Sequence, residues 1–149
     1  MNPIAIPESH RDLLDGGDYV VLTTIMPDGQ PQLTPIWCNR EGDYILLNTM
    51  RGFRKEKNMR ANPHVTLLAF DPKHPLCSLE IRGTVVEITE EGALEHLDYL
   101  TQLYLHRPGA RFFRDCVPAR LQATYVPVKI KVAPTYVRVE GESHGRSHS

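Results

Sequence analysis

The residues best suited to chemistry are Thr49-Met50-Arg51-Gly52-Phe53-Arg54-Lys55-Glu56-Lys57-Asn58-Met59-Arg60, in which five Lys or Arg side chains accompany one acid. They lie where a strand ends and a helix begins. Free backbone N–H groups and the positive end of a helix dipole favour a phosphate at such a junction. The Thr49 hydroxyl can donate a hydrogen bond, and Arg51 and Lys55 can supply charge. A solvated basic helix face has the same composition, so residue type leaves both readings open.

Elements on either side must position this stretch. Residues 19–25 are rich in β-branched side chains and read as a buried strand. Pro27-Asp28-Gly29-Gln30 is a turn in which proline presets φ and Asp-Gly tolerates positive φ. Residues 30–39 return as the second strand of a hairpin, with Pro31 and Pro35 limiting its ladder to an edge or a bulge. A third strand spans 44–49, a short helix 52–61, and a fourth strand 64–70. Residues 71–75 form a loop, and a fifth strand spans 78–88, interrupted at Gly83 by a bulge or close backbone approach. Thr89 is placed to cap a helix whose apolar stripe, Ala93, Leu94, Leu97, Leu100, Leu103 and Tyr104, runs to His106. Residues 8–14 form a short helix, 112–116 a helical turn, and 125–139 a long final strand or pair. This pattern predicts a mostly β fold with accessory helices in a largely antiparallel barrel. Residues 1–140 form one domain and 141–149 a polar, disordered tail.

Composition excludes several function classes. A formal net charge of −1 over 149 residues offers no global field for nucleic acid or an anionic membrane. Apolar runs fall far short of the ~20 residues that span a bilayer. Cys38, Cys77 and Cys116 are odd in number and lack CxxC spacing, which argues against a disulfide framework or zinc site and for a reducing cytoplasm. His64, His74 and His96 show no mutual metal-ligand spacing, so no metal is expected. His144 and His148 fall in the polar tail. Trp37 and Tyr104 read first as core residues, and nothing near Cys38 marks an activated thiolate.

The stretch Pro27-Asp28-Gly29-Gln30-Pro31-Gln32-Leu33-Thr34-Pro35-Ile36-Trp37, then Leu47-Asn48-Thr49, then Arg51-Gly52-Phe53-Arg54-Lys55 through Asn62-Pro63-His64-Val65, resembles the pyridoxamine-phosphate-oxidase-like, FMN-binding split-barrel family. Within that family it is most similar to the branch that binds the deazaflavin coenzyme F-420. Leu79-Glu80-Ile81-Arg82-Gly83-Thr84-Val85 and Thr89-Glu90-Glu91-Gly92-Ala93 extend the likeness. The resemblance implies a six-stranded antiparallel split β-barrel that dimerises, with cofactor sites at the subunit interface. It implies Lys55 as phosphate ligand and Thr49 and Met50 as pocket lining. Arg51 and Lys57 are implied as further contacts, and Gln32, Pro35, Ile36 and Trp37 as residues beside the ring. Asn58 occupies a recurrent family position, either at the cofactor or bracing the backbone. Phe53-Arg54 stand where many relatives of the branch carry Arg then Ala. Leu105-His106-Arg107 stand where a glycine often follows.

The implied activity is that of an oxidoreductase passing a hydride between F-420 and a small organic substrate. FMN on the same barrel is the alternative cofactor, and a non-catalytic flavin or deazaflavin carrier is the alternative of another class. No protein acid or base is assigned, because in such enzymes the cofactor carries the chemistry.

Overall fold

A computed structural model describes residues 1–142. Seven antiparallel strands form one sheet: β1 (Val20–Ile25), β2 (Pro31–Ile36), β3 (Cys38–Glu41), β4 (Tyr44–Met50), β5 (His64–Asp71), β6 (His74–Thr89) and β7 (Pro127–Glu140). Their order is β2-β1-β5-β6-β7-β4-β3. The two edge strands are consecutive in sequence and separated only by Trp37. Ile36 pairs with Val20 of β1, and Cys38 pairs with Leu47 of β4, so the chain through Trp37 closes the sheet into a split barrel.

The single strand expected over 30–39 is therefore two, and this break accounts for the difference between six strands and seven. A flat strand cannot serve two ladders on opposite sides of a barrel, so the ladder lapses at Trp37 while the chain changes partners. The preceding hairpin follows its turn chemistry. Gly29 has φ +89°, its N–H donates to the Met26 carbonyl at 2.8 Å, and the Gln30 N–H donates to Asp28 Oδ1 at 3.0 Å.

Alternation along β4 sorts its side chains onto two faces. Ile45 and Leu47 join Val20, Leu22, Leu67, Ile81, Val128 and Ile130 in the barrel core. Leu46, Asn48 and Met50 point outward, and α3 (Ala93–Leu105) packs on Asn48 and Met50. Met50 there packs with Leu97 and Phe113, supported by Leu94, Phe112, Val117 and Leu121, in a second apolar cluster. Helix α1 (Asp12–Asp15) buries Leu13 and Leu14 against one end of the barrel. Helix α2 (Arg54–Ala61) buries Glu56, Asn58 and Met59.

Three further expectations change. Thr89 does not cap α3, because β6 continues through Thr89, paired with Lys129. The Thr89 hydroxyl instead accepts the Glu91 N–H at 3.1 Å, and the helix starts after Gly92 at φ +71°. The loop expected over 71–75 is tighter, since the ladder resumes at His74 opposite Asp71. The helix expected over residues 8–14 is a 3-10 turn, Glu8–His10, followed by α1. Most of the polar tail, residues 143–149, lies outside the described residues. No helix among the described residues is long and apolar enough to cross a membrane.

Gly83 combines both expected reasons for a glycine. The β6–β7 register shifts between Arg82 and Gly83, and a Cβ there would stand 2.6 Å from Val132 Cγ1 and 2.9 Å from the Ala133 carbonyl oxygen. The carbonyl belongs to the paired strand and cannot rotate away. Gly83→Val is expected to destabilise the fold by about 1–3 kcal/mol through overpacking, read as a lowered urea midpoint at unchanged slope; an unaltered midpoint would show that the strands separate freely there.

Candidate functional site

The break at Trp37 opens a cleft of about 280 Å³ between the barrel edge, α3 and the start of α2. Pro35, Ile36 and Trp37 form one wall, Asn48, Thr49 and Met50 a second, and Leu97, Leu100 and Phe112 a third. Tyr19, Phe53 and Lys55 complete the lining. The walls are thus mainly apolar and aromatic, with a few polar groups among them, as in most small-molecule sites.

Trp37 is held in place on several sides. Its ring stacks on Tyr104 at 5.1 Å with 16° between planes, and Phe112 meets it edge-on at 6.3 Å. The Tyr104 hydroxyl accepts the Cys38 N–H at 2.9 Å and stands 3.1 and 3.2 Å from the Asp18 and Cys38 carbonyl oxygens. One phenol thereby satisfies the backbone where the ladder has lapsed. Burial pushes the Tyr104 hydroxyl well above its ordinary range and the Cys38 thiol up to about 12, so both stay protonated at neutral pH. Tyr104 acts as a structural bolt, and His106 takes φ +52° at the helix end.

Lys55 projects from the first turn of α2 onto the cleft. It is half-buried, and burial alone pulls its ammonium below the usual lysine range. No carboxylate among the described residues pairs with it, and the neighbouring Thr49 hydroxyl likewise has no partner among them. The other cations of 49–60 are placed differently. Arg51 is exposed and bridges Glu90 at 3.0 Å, Lys57 is exposed, and Arg60 pairs with Glu56. Glu56 is only 2% exposed, and its other carboxylate oxygen accepts the Gly52 N–H at 3.2 Å. That bond fixes the turn from Thr49 into α2, and it removes Gly52 from the free donors expected at the junction.

Six of the ten nominated residues, Lys55, Thr49, Met50, Pro35, Ile36 and Trp37, meet in the cleft. Arg51, Lys57, Gln32 and Asn58 do not line it. Asn58 is buried, and its Nδ2 donates to Thr24 Oγ1 at 3.1 Å and Gln32 Oε1 at 3.3 Å, bracing α2 against the β1–β2 hairpin. Sequence reasoning did not nominate Asn48, Leu97, Leu100, Phe112 or Tyr19. For Asn48 the available signal was a polar residue on the outward face of an otherwise apolar strand.

A second groove, about 400 Å³, lies on the outer sheet face along Val21, Leu33, Leu68 and Glu80. Its cation, Arg138, is paired with Glu140. The groove is larger, but its carboxylates and its neutralised arginine make it a poor place for an anion.

The sequence matches the pyridoxamine 5'-phosphate oxidase family over residues 6–141. The chain belongs to that family. An F420 reductase has a similar structure at 29% identity and a TM-score of 0.75, covering 89% of this chain and 98% of the reductase. A conserved hypothetical protein from Mycobacterium tuberculosis is 24% identical with a TM-score of 0.67, covering 99% and 92% of the two chains. General Stress Protein 26 from Bacillus anthracis is 19% identical with a TM-score of 0.63, covering 91% and 93%. The last two support the fold alone. Comparison with curated proteins finds no match.

Behind the Asn48 wall, His96 is half-buried, with Nε2 2.7 Å from Asn39 Oδ1 and Nδ1 3.1 Å from Asn48 Nδ2. Burial, with Lys129 nearby on β7, lowers its pKa from 6.5 to about 4. The unfolded chain therefore takes up this proton near pH 6.5, while the folded chain resists it until about pH 4. Stability is expected to be flat in this respect above pH 6.5 and to fall as pH drops from 6.5 towards 4. Urea midpoints of wild type and His96→Gln should diverge in slope across that window; parallel slopes would mean that His96 titrates normally in the fold.

Proposed function

We propose that this member of the family is an oxidoreductase that binds a phosphate-bearing, flavin-type cofactor in the Trp37–Lys55 cleft. Coenzyme F-420 is the favoured cofactor, and hydride passes to or from a small organic substrate. The observation that carries this reading is the unpaired, partly desolvated Lys55 beside the unpaired Thr49 hydroxyl in an otherwise apolar aromatic cleft. A desolvated cation without a carboxylate partner is stabilised by an incoming anion, and a phosphate also accepts the hydroxyl. The similarity to an F420 reductase favours the deazaflavin over FMN.

In this reading the cofactor supplies the hydride chemistry. The chain binds and orients it: Lys55 and Thr49 hold the phosphate, while Pro35, Ile36 and Trp37 pack beside the ring. Phe112 and Leu97 exclude water from the opposite side. Arg54, exposed at the start of α2 beside Lys55 and without a carboxylate partner among the described residues, suits the anionic tail that F-420 carries and FMN lacks. A cleft of about 280 Å³ falls just below the ~300–1,000 Å³ typical of ligand pockets. We therefore place the remaining wall on a second copy of the chain, in a homodimer with its sites at the interface. Three free cysteines, two of them buried, suit a cytoplasmic setting.

Fluorescence titration with F-420 and with FMN tests the assignment. F-420 is expected to bind at micromolar concentration and more tightly than FMN. Lys55→Ala should weaken binding by about 1–3 kcal/mol, the scale of a lost hydrogen bond to a charged group, whereas Lys57→Ala should change it little. An unchanged affinity in Lys55→Ala would remove the phosphate assignment, and tighter binding of FMN would reverse the choice of cofactor. Bound cofactor that no acceptor oxidises would make the protein a carrier.

A further inference from the structure

Asn48 combines a fixed orientation with an unused acceptor. The Ala93 carbonyl, 2.9 Å from Asn48 Nδ2, can only accept, so the amide nitrogen must face it. The second Nδ2 hydrogen points to His96 Nδ1 at 3.1 Å, which must then be the unprotonated ring nitrogen. His96 Nε2 consequently carries the hydrogen and donates to Asn39 Oδ1 at 2.7 Å. One backbone carbonyl thereby fixes, in turn, an amide orientation, a histidine tautomer and a second amide. A proton on His96 Nδ1 would confront the Asn48 N–H, and turning the amide to relieve that clash would set Oδ1 against the Ala93 oxygen. The relay works in one arrangement only.

At its end stands Asn48 Oδ1, shielded from solvent and without a hydrogen-bond partner among the described residues. Buried polar atoms are almost always paired, and an unpaired one in a native fold calls for a donor from outside the chain. Asn48 lines the cleft, and the other polar side chains there have different properties: Lys55 and Thr49 suit an anion, and Tyr19 is 60% exposed. A neutral acceptor at the apolar wall fits a neutral N–H. Flavin and deazaflavin rings share one such group, the imide N–H of their pyrimidine edge.

We propose that Asn48 Oδ1 accepts the imide N–H of the bound ring, with His96 and Asn39 as the positioning residues that hold it. The proposal rests on the cleft being the cofactor site. It makes Asn48 a determinant of ring recognition, acting apart from the phosphate contact.

The test uses the parent cofactor, F-420 or FMN, whichever binds wild type more tightly, and its derivative methylated at the imide nitrogen. Wild type should bind the methylated derivative about 10-fold or more weakly than the parent, since a buried acceptor is left without a donor. Asn48→Leu, similar in size, should weaken the parent and bind the two alike. In ligand-free protein, nitrogen-15 NMR should find His96 as the Nε2–H tautomer. Equal affinity of wild type for parent and derivative would overturn the proposal and leave the cofactor site standing, with a trapped water as the donor. Discrimination that persists in Asn48→Leu would be steric and would overturn it as well, and an Nδ1–H tautomer would break the relay. Failure of wild type to bind either parent would refute the cofactor reading itself, and this proposal with it.

Discussion

At Trp37 the chain leaves one hydrogen-bond ladder and enters another, and the Tyr104 phenol stands in for the ladder across the gap. The barrel closes at this junction because β2 and β3 reach opposite edges of the sheet with a single residue between them. The same junction separates the barrel edge from α3 and leaves room for a cleft. It also stacks Trp37 on Tyr104, so that the indole forms a preset part of the wall. Tyr104 comes from the last turn of α3, so the helix that closes the outer side of the cleft also secures its opposite rim.

Within this frame the charges are distributed unequally. The basic stretch 49–60 gives the surface several cations that are solvated or already paired, and it turns one ammonium into an apolar recess. Glu56 makes this arrangement possible. Buried beneath the turn, it holds Gly52 with one oxygen and Arg60 with the other, so the negative charge of the stretch is consumed locally and does not reach Lys55. Asn58, Gln32 and Thr24 lock the other face of α2 to the first hairpin. Lys55 is thus presented by a helix anchored on both sides, as a preorganised anion site requires.

Much of this was legible in the sequence, because the signals were local. The Pro27–Gln30 turn, the bulge at Gly83 and the helix after Gly52 each follow from residue type and spacing. The division at Trp37 was not legible, because residues 30–39 carry a continuous strand pattern and only the tertiary requirement of closure interrupts it. Charge alone could not separate Lys55 from Arg51 and Lys57; burial and the Glu90 partner do so. The family resemblance implied Gln32 beside the ring and Asn58 either at the cofactor or bracing the backbone, yet Asn58 Nδ2 is spent on Thr24 Oγ1 and Gln32 Oε1. Asn48 was passed over for the converse reason: its partners, Ala93 and His96, come from α3, far away in sequence. Local chemistry announced the elements, and long-range contacts decided which side chains stayed free.

The central claim is that the cleft at Trp37 holds a cofactor phosphate on Lys55. A crystal structure of the protein grown with F-420 or FMN tests it most directly. The account predicts the phosphate within hydrogen-bond distance of Lys55 Nζ and Thr49 Oγ1, with the ring against Pro35, Ile36 and Trp37. A phosphate on the exposed Arg51 and Lys57, or a ring seated in the outer groove along Val21, Leu33 and Leu68, would contradict it.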